Sequence, residues 1–478
     1  MTRIQIAWMS CLALAGCDRV FLDDRPISRI DVSLVRERGF ITDQVEIVRL
    51  EATGVRASVL VRDDDEPSGF REIAMRADAD DVFHATVPDG ERLVRFQSAG
   101  EPLQVYALDA PDLVVRDSVY GHADPAPAPP NAQLELAVEL DRPYAREPLE
   151  IVTIGAWARR PLTVPEQPAL GETTWRAPPI SFSSLTTLPG GPAQALRTDD
   201  RVLILRHDSS GMLDGMLSVP GYEQSDGVDR ITASMVTLTA TSHLFEIDPQ
   251  TTAARLNVVR PNPVLTWSVN AAPGAAVSRA KGPVLAGQTV PEISSHVIAT
   301  YYPEPFAGWP SVVRWSGTAL RGTTGPVAIP ILATLYQAAE LPPDPPPGPP
   351  MVMSQPQGLP LLVSLEGTPI VADGAAITFD HDHEVTLEMT IDRAPPACDK
   401  HGFTLVSIDP ATTLRTTRFS VFSTTPSVTV PGALFSPDVV YLIQATCEVG
   451  AREIGEGRTA LTLPYGVGTL DTAVFFTP

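Results

Sequence analysis

Strict alternation of apolar and polar residues is the feature that most constrains the fold of this chain. The clearest runs are residues 134–140 and 385–391. Because successive side chains of a strand point to opposite faces of a sheet, each run predicts a strand with one core face and one solvent face. Further strands are predicted at 30–35, 45–51, 58–62, 92–97, 202–205, 231–239 and 264–269. Residues after 17 nowhere repeat their apolar positions with sustained helical spacing, so we expect no helix there.

Proline supports the same fold class, since it fits turns and is poorly tolerated inside helices. The chain has 48 prolines in 478 residues, which is about twice the usual share of roughly 5%. This length suits three or four domains. We therefore predict an all-β protein of tandem antiparallel β-sandwich domains.

The formal net charge of −22 excludes one class of partner. An acidic surface repels phosphate backbones, so we expect no nucleic-acid binding. Lys281 and Lys400 are the only lysines, and there is no polybasic membrane patch.

The N-terminus has the plan of an export signal. Arg3 precedes a mostly apolar stretch at 4–14, which is too short to span a bilayer. The stretch ends in Leu14-Ala15-Gly16-Cys17, which resembles the lipobox of bacterial lipoproteins. The resemblance implies cleavage before Cys17, acylation of its thiol, and anchoring in the lipid bilayer of the cell envelope, at the periplasmic face of the inner membrane or in the outer membrane. The alternative is an ordinary cleaved signal peptide with a chance cysteine.

Composition also suggests how the chain is divided. Proline-rich stretches favour extended spacers, and they occur at 121–131 and 341–357. We predict a signal peptide and lipidated cysteine at 1–17, and β domains at 18–120, 132–250, 251–340 and 358–478. The second and third of these β domains are either separate or one continuous domain.

The C-terminal domain resembles the fibronectin type III family, a relative of the immunoglobulin fold. Alternating residues in Phe435-x-Pro437-x-Val439-x-Tyr441-x-Ile443-x-Ala445 match its corner between strands E and F. The resemblance implies that the tyrosine hydroxyl bonds back to the backbone. The sequence departs from the family at Met389, where a core tryptophan is usual.

The same resemblance places Cys398 just before strand C and Cys447 at the end of strand F, which are antiparallel neighbours in this fold. An even pair of cysteines in an exported protein predicts a disulfide between Cys398 and Cys447. A metal site is the poorer alternative, because two thiols alone are too few ligands.

The N-terminal domain carries a shorter resemblance. Residues 83–96 include Phe83-x-Ala85-Thr86-Val87-Pro88-x-Gly90, which is similar to the strand–turn–strand of small transthyretin-like sandwiches. Such modules usually space or present other domains.

Metal binding is one candidate chemistry. His381 and His383 on a strand would face the same side, where both imidazoles could reach one ion, with His401 as a possible third ligand. This would suit a metal-dependent hydrolase. The alternative is a solvated entry to the strand that begins near Val385. No nucleophile elbow, H-E-x-x-H, P-loop or dinucleotide motif occurs, and we predict no cofactor.

Aromatic residues are the second candidate. Tyr301, Tyr302, Trp309 and Trp315 could stack on sugar rings or anchor a partner if exposed, or pack in a core if buried. From the anchor, the spacers and the lack of catalytic motifs, we predict a non-enzymatic envelope scaffold or binding module, whose partner is an envelope protein or a polysaccharide. Carbohydrate binding or adhesion through the aromatics is the alternative.

Overall fold

The structure is a computed structural model of the chain. It describes residues 26–39, 45–49, 52–98, 100–107, 112–120, 126–154, 158–187, 193–209, 213–237, 241–260, 263–271, 284–290, 296–301, 310–323, 328–341, 350–353, 358–392, 398–450 and 465–478. The prediction of an all-β fold built from antiparallel sandwiches is confirmed.

Strands of the first and second segments alternate with short turns. The first segment contains β1 (Ile27–Gly39), β2 (Val45–Arg49), β3 (Val55–Arg62), β4 (Phe70–Ala74), β5 (Arg76–Ala77), β6 (Val82–Pro88), β7 (Arg92–Ser98), β8 (Leu103–Ala107) and β9 (Asp112–Tyr120). The second contains β10 (Gln133–Glu139), β11 (Leu149–Ile154), β12 (Ala158–Pro161), β13 (Thr174–Arg176), β14 (Ile180–Ser181), β15 (Thr186–Thr187), β16 (Arg201–His207), β17 (Leu213–Pro220), β18 (Val228–Ser234) and β19 (Val236–Thr237).

The third and fourth segments follow the same plan with longer strands. The third contains β20 (Thr241–Glu246), α1 (Pro249–Val259), β21 (Val264–Ala271), β22 (Val284–Val290), β23 (His296–Tyr301), β24 (Ser311–Gly322), β25 (Pro330–Leu341) and β26 (Met351–Val352). The fourth contains β27 (Pro360–Leu365), β28 (Thr368–Pro369), β29 (Ala375–Ala376), β30 (Glu384–Ile391), β31 (Lys400–Ile408), β32 (Arg415–Ser423), β33 (Ser427–Pro431), β34 (Val439–Val449), β35 (Tyr465–Asp471) and β36 (Phe475–Thr477). Short 3-10 turns lie at Val164–Glu166, Phe182–Ser184 and Gly432–Leu434.

One 14-stranded sheet, here called the central sheet, crosses three of the four segments. Its order is β22-β21-β24-β25-β35-β34-β31-β32-β8-β7-β3-β4, with β36 and β29 attached beside β34. The third segment joins it where β25 pairs antiparallel with β35. The first segment joins it where β8 pairs parallel with β32. Backbone hydrogen bonds therefore connect regions that are far apart in sequence.

One face of the central sheet, the core face, is packed along its length. The sheet of β28, β27, β30 and β33 covers Phe403, Leu405 and Val105. Helix α1 covers Ala333 and Leu335 with Leu256. Two further sheets cover the rest of the core face. One consists of β23, β20 and β26, and the other of β15, β12, β11, β16, β17 and β19.

Strand β16 lies in a sheet that is buried on both faces. Its Ile204 packs toward the outer sheet of β13, β10, β14 and β18, whereas Leu203 and Leu205 pack toward the third segment. A strand buried on both faces needs apolar residues at consecutive positions. This explains the uninterrupted apolar run at 202–205, where the sequence predicts a strand.

Helix α1 contradicts the expectation of no helix. It begins after Asp248, whose carboxylate accepts a hydrogen bond from the Thr251 backbone N–H at 2.9 Å, and Pro249 occupies its first turn. Both are start signals that the spacing of apolar residues does not reveal. Across the part of the chain that the structure describes, no helix has the length and apolarity needed to cross a membrane.

Candidate interaction surface

The opposite face of the central sheet, here called the outer face, is covered at one end and partly exposed elsewhere. The sheet of β2, β1, β6, β5 and β9 packs on it around Val94, Tyr106 and Tyr465. Beside that contact runs a row of uncharged polar side chains, here called the hydroxyl band. Its members are Thr266, Ser316, Thr318, Thr334, Thr469, Thr446, Gln444, Thr404, Ser420 and Gln104, of which Thr446 is buried and the other nine are partly exposed.

Strand register makes the band continuous. Thr334 lies opposite Thr469, and Thr469 lies opposite Thr446 on the next strand. Thr404 lies between Gln444 and Ser420 in the same way. The band thus crosses eight neighbouring strands, from β21 to β8. At about 4.8 Å between strands it is roughly 34 Å long.

Hydrogen bonds between neighbours hold the side chains of the band in place. Oxygen atoms of Thr266 and Ser316 are 2.6 Å apart, those of Thr404 and Ser420 are 3.0 Å apart, and those of Thr318 and Thr334 are 3.4 Å apart. All six of these side chains are partly exposed. A hydroxyl has one donor and two acceptor positions, so each retains capacity for a ligand after pairing with its neighbour.

Buried charges mark the boundary between the band and the packed end of the outer face. Arg314 donates to the Tyr336 hydroxyl at 2.7 Å, and burial, with Tyr465 nearby, raises the pKa of Tyr336. Lys400 forms an ion pair with the fully buried Glu448, and its Nζ lies 4.9 Å from the centre of the Phe422 ring. Within the band, Gln444 donates to the buried carboxylate of Asp471 at 3.0 Å, whereas the ten residues of the band are themselves uncharged.

Trp315 does not belong to an exposed aromatic binding site, so this part of the sequence prediction is wrong. This residue lies on the core face, is 2% exposed, and pairs across the strands with Trp267. A ring in that position cannot stack on a sugar. Val313 and Ala319 of β24 face the core on the same side as Trp315, whereas Ser316 and Thr318 face the outer side. Tyr302, Trp309 and the side chain of Tyr301 lie outside the described residues.

The metal prediction fails on the placement of its two histidines. His381 and His383 lie in the turn before β30 and not on a strand, because Asp380 and Asp382 form a local hydrogen-bonded turn there. His381 Nδ1 is 3.0 Å from the Phe435 carbonyl, whereas His383 Nδ1 is 2.8 Å from the Asp380 carboxylate. Among the described residues, no three His, Cys, Asp or Glu side chains converge as metal ligands.

The fourth segment matches the details expected from its resemblance. Cys398 and Cys447 form a disulfide with 5.4 Å between their Cα atoms. The Tyr441 hydroxyl accepts a hydrogen bond from the Ser436 backbone N–H at 2.9 Å, as in a tyrosine corner. Cys17 lies outside the described residues.

The hydroxyl band is not among the sites predicted from the sequence, because threonine is an ordinary residue on the solvent face of a strand. The signal is present in the sequence: serine or threonine recurs at every second position in 266–268 and 316–318. What the sequence does not show is that these strands lie side by side, since β25 and β35 are separated by more than a hundred residues of chain.

Comparisons with known proteins add little to this geometry. No protein-family model matches the chain, and no curated protein matches it. One solved structure that is similar to it is that of a streptococcal ancillary pilin, with 9% identity, 68% of this chain covered and 98% of the other. The TM-score of that alignment is 0.12, which carries no argument about fold or function.

Proposed function

We propose that this protein is a non-enzymatic lipoprotein of the bacterial cell envelope, which acts as a rigid scaffold and presents the outer face of its central sheet as a binding surface. The observation that supports this most is the central sheet itself, in which three segments share one set of strand pairings. A surface that is built this way keeps its shape when it binds, which lowers the entropy cost of association.

Ion pairs between segments also support a rigid body. Arg62 of the first segment donates to Glu384 of the fourth at 2.8 Å. Arg255 of α1 donates to both carboxylate oxygens of Asp392, at 2.5 and 3.0 Å. Bidentate arginine pairs fix orientation as well as distance. The segments would then move as one rigid body and not as separate domains joined by spacers.

The anchor is the second part of the proposal and rests on the lipobox resemblance at Cys17. Residues 18–26 separate this cysteine from the first strand. Nine residues reach at most about 32 Å when fully extended. An acylated Cys17 would therefore hold the scaffold close to the membrane surface.

Metabolic labelling with a clickable palmitate tests the anchor. Wild-type protein in the native host should take the label and fractionate with membranes, and Cys17→Ala should lose both properties. Cys11→Ala is the matched control, because it removes a nearby cysteine that the lipobox does not use, and it should label like the wild type. Unlabelled wild-type protein, or label that persists in Cys17→Ala, would refute the anchor.

A further inference from the structure

We infer that the hydroxyl band binds an uncharged, hydroxyl-rich polymer, that is, a neutral polysaccharide in extended conformation. This inference deepens the proposed function, since it rests on the outer face being a binding surface and names the class of its ligand. It does not depend on the lipid anchor.

The chemistry of the band selects the ligand. Its nine partly exposed side chains are hydroxyls and amides, which donate and accept hydrogen bonds without carrying charge. A neutral polysaccharide presents the same two capacities along its length. A polycation would bind to carboxylates elsewhere on the surface and not to the uncharged band. A polyanion would be repelled by the net charge of −22.

The geometry favours a polymer over a single sugar. Each hydroxyl contact exchanges water for a sugar hydroxyl, so its net contribution is small. The band is roughly 34 Å long, and its contacts add along one chain because each one raises the effective concentration of the next. Binding should therefore depend strongly on chain length.

The positions of the hydroxyls are fixed before a ligand arrives. Threonine is stiff at its first side-chain torsion, and the pairs Thr318–Thr334 and Thr404–Ser420 lock the neighbouring oxygens. The strands that carry them are held by packing on the core face. Little conformational freedom remains to be lost when the polymer binds.

Affinity electrophoresis of the unanchored Cys17→Ala chain tests the inference. The probes are hydroxyethylcellulose, which is neutral, and alginate, which is anionic, each cast into a native gel. We expect retardation by hydroxyethylcellulose and none by alginate. The double variant Thr334→Val, Thr404→Val removes two hydroxyls with little change of shape, and its apparent Kd should rise by about tenfold.

A matched control uses the same residue pair on another sheet. Thr386 and Thr429 are paired across strands with 3.3 Å between their hydroxyls, but they lie in the sheet of β30 and β33. Thr386→Val, Thr429→Val should bind like the unsubstituted chain. No retardation by hydroxyethylcellulose, retardation by alginate alone, or an equal loss in both double variants would overturn the inference. Palmitate labelling is scored separately, so either proposal can fail alone.

Discussion

At the scale of single residues, a buried arginine can hold several polar groups inside the protein at once. Arg206 is the clearest case, because its side chain is 1% exposed and donates to Asp141 at 2.6 and 3.1 Å and to Asp214 at 2.8 Å. A planar guanidinium can satisfy two carboxylates at once, which an ammonium group does less well. Arg142 pairs with Asp214 as well, so the charges form a network.

Removing Arg206 should be costly. Arg206→Met leaves two mostly buried carboxylates without their main partner, and we expect a loss of about 3 kcal/mol in the free energy of unfolding of the second segment. Arg230→Met is the control, since Arg230 is 79% exposed in its pair with Glu135, and that pair should contribute less than about 1 kcal/mol. Chemical denaturation followed by tryptophan fluorescence measures both, and equal losses would contradict the argument.

His401 predicts a pH dependence of stability. Burial lowers its pKa from the ordinary value of 6.5, so the folded state binds its proton less readily than the unfolded state does. Its contribution to stability is complete above about pH 6.5 and is lost as the pH falls from there toward the lowered pKa.

The measurement is the thermal midpoint at about pH 7.5 and about pH 5. The thermal midpoint of His401→Gln should fall by less between these two pH values than that of the wild type, because the buried group that resists protonation is gone. His383→Gln is the control, since His383 is exposed on the turn before β30. An unchanged pH response in His401→Gln would rule out this residue as the source.

At the scale of elements, the disulfide ties the residues just before β31 to the β31–β34 ladder near the end of β34. Cys398 and Cys447 are 49 residues apart. Closing a loop of this length should stabilise the native state by about 4 kcal/mol on the chain-entropy model. The double variant Cys398→Ala, Cys447→Ala should therefore unfold at a lower temperature, and a dithiol reductant should lower the midpoint of the wild type while leaving that of the variant unchanged. A wild type that is insensitive to the reductant after full reduction would contradict this.

Single elements were the part of the fold that sequence could predict. Alternating apolar and polar residues predicted β10 and β30, and an uninterrupted apolar run predicted β16. These signals are readable because they depend only on the local direction of side chains. Helix α1 escaped because only Pro249, Thr252 and Leu256 are buried in it, so its apolar pattern is sparse. Burial of Trp315 could not be predicted either, since it depends on which face of β24 meets the third-segment core.

At the scale of the whole molecule, strand partners across segments decide the architecture, and no local signal encodes them. The pairing of β8 with β32 joins residues more than three hundred positions apart. Apolar residues of the first segment, Leu60, Leu93 and Val105, then enter the same core as the fourth. The first segment is thus bound to the fourth through packing and not only through the chain at 121–131.

This joint can be tested by cutting the chain. A protease site inserted between residues 122 and 125 allows the first segment to be cleaved from the rest. The two fragments of the unanchored protein should still elute together in size-exclusion chromatography, because the β8–β32 pairing and the shared core survive the cut.

Val105→Asp places a carboxylate at a position that is fully buried in this joint, and burial of an unpaired charge should separate the fragments. Gln104→Asp makes the matched change on the partly exposed face of the same strand and should leave them associated. Separate elution of the cleaved wild type would show that the first segment is held only by the chain, and the proposal of a rigid scaffold would then fail at this joint.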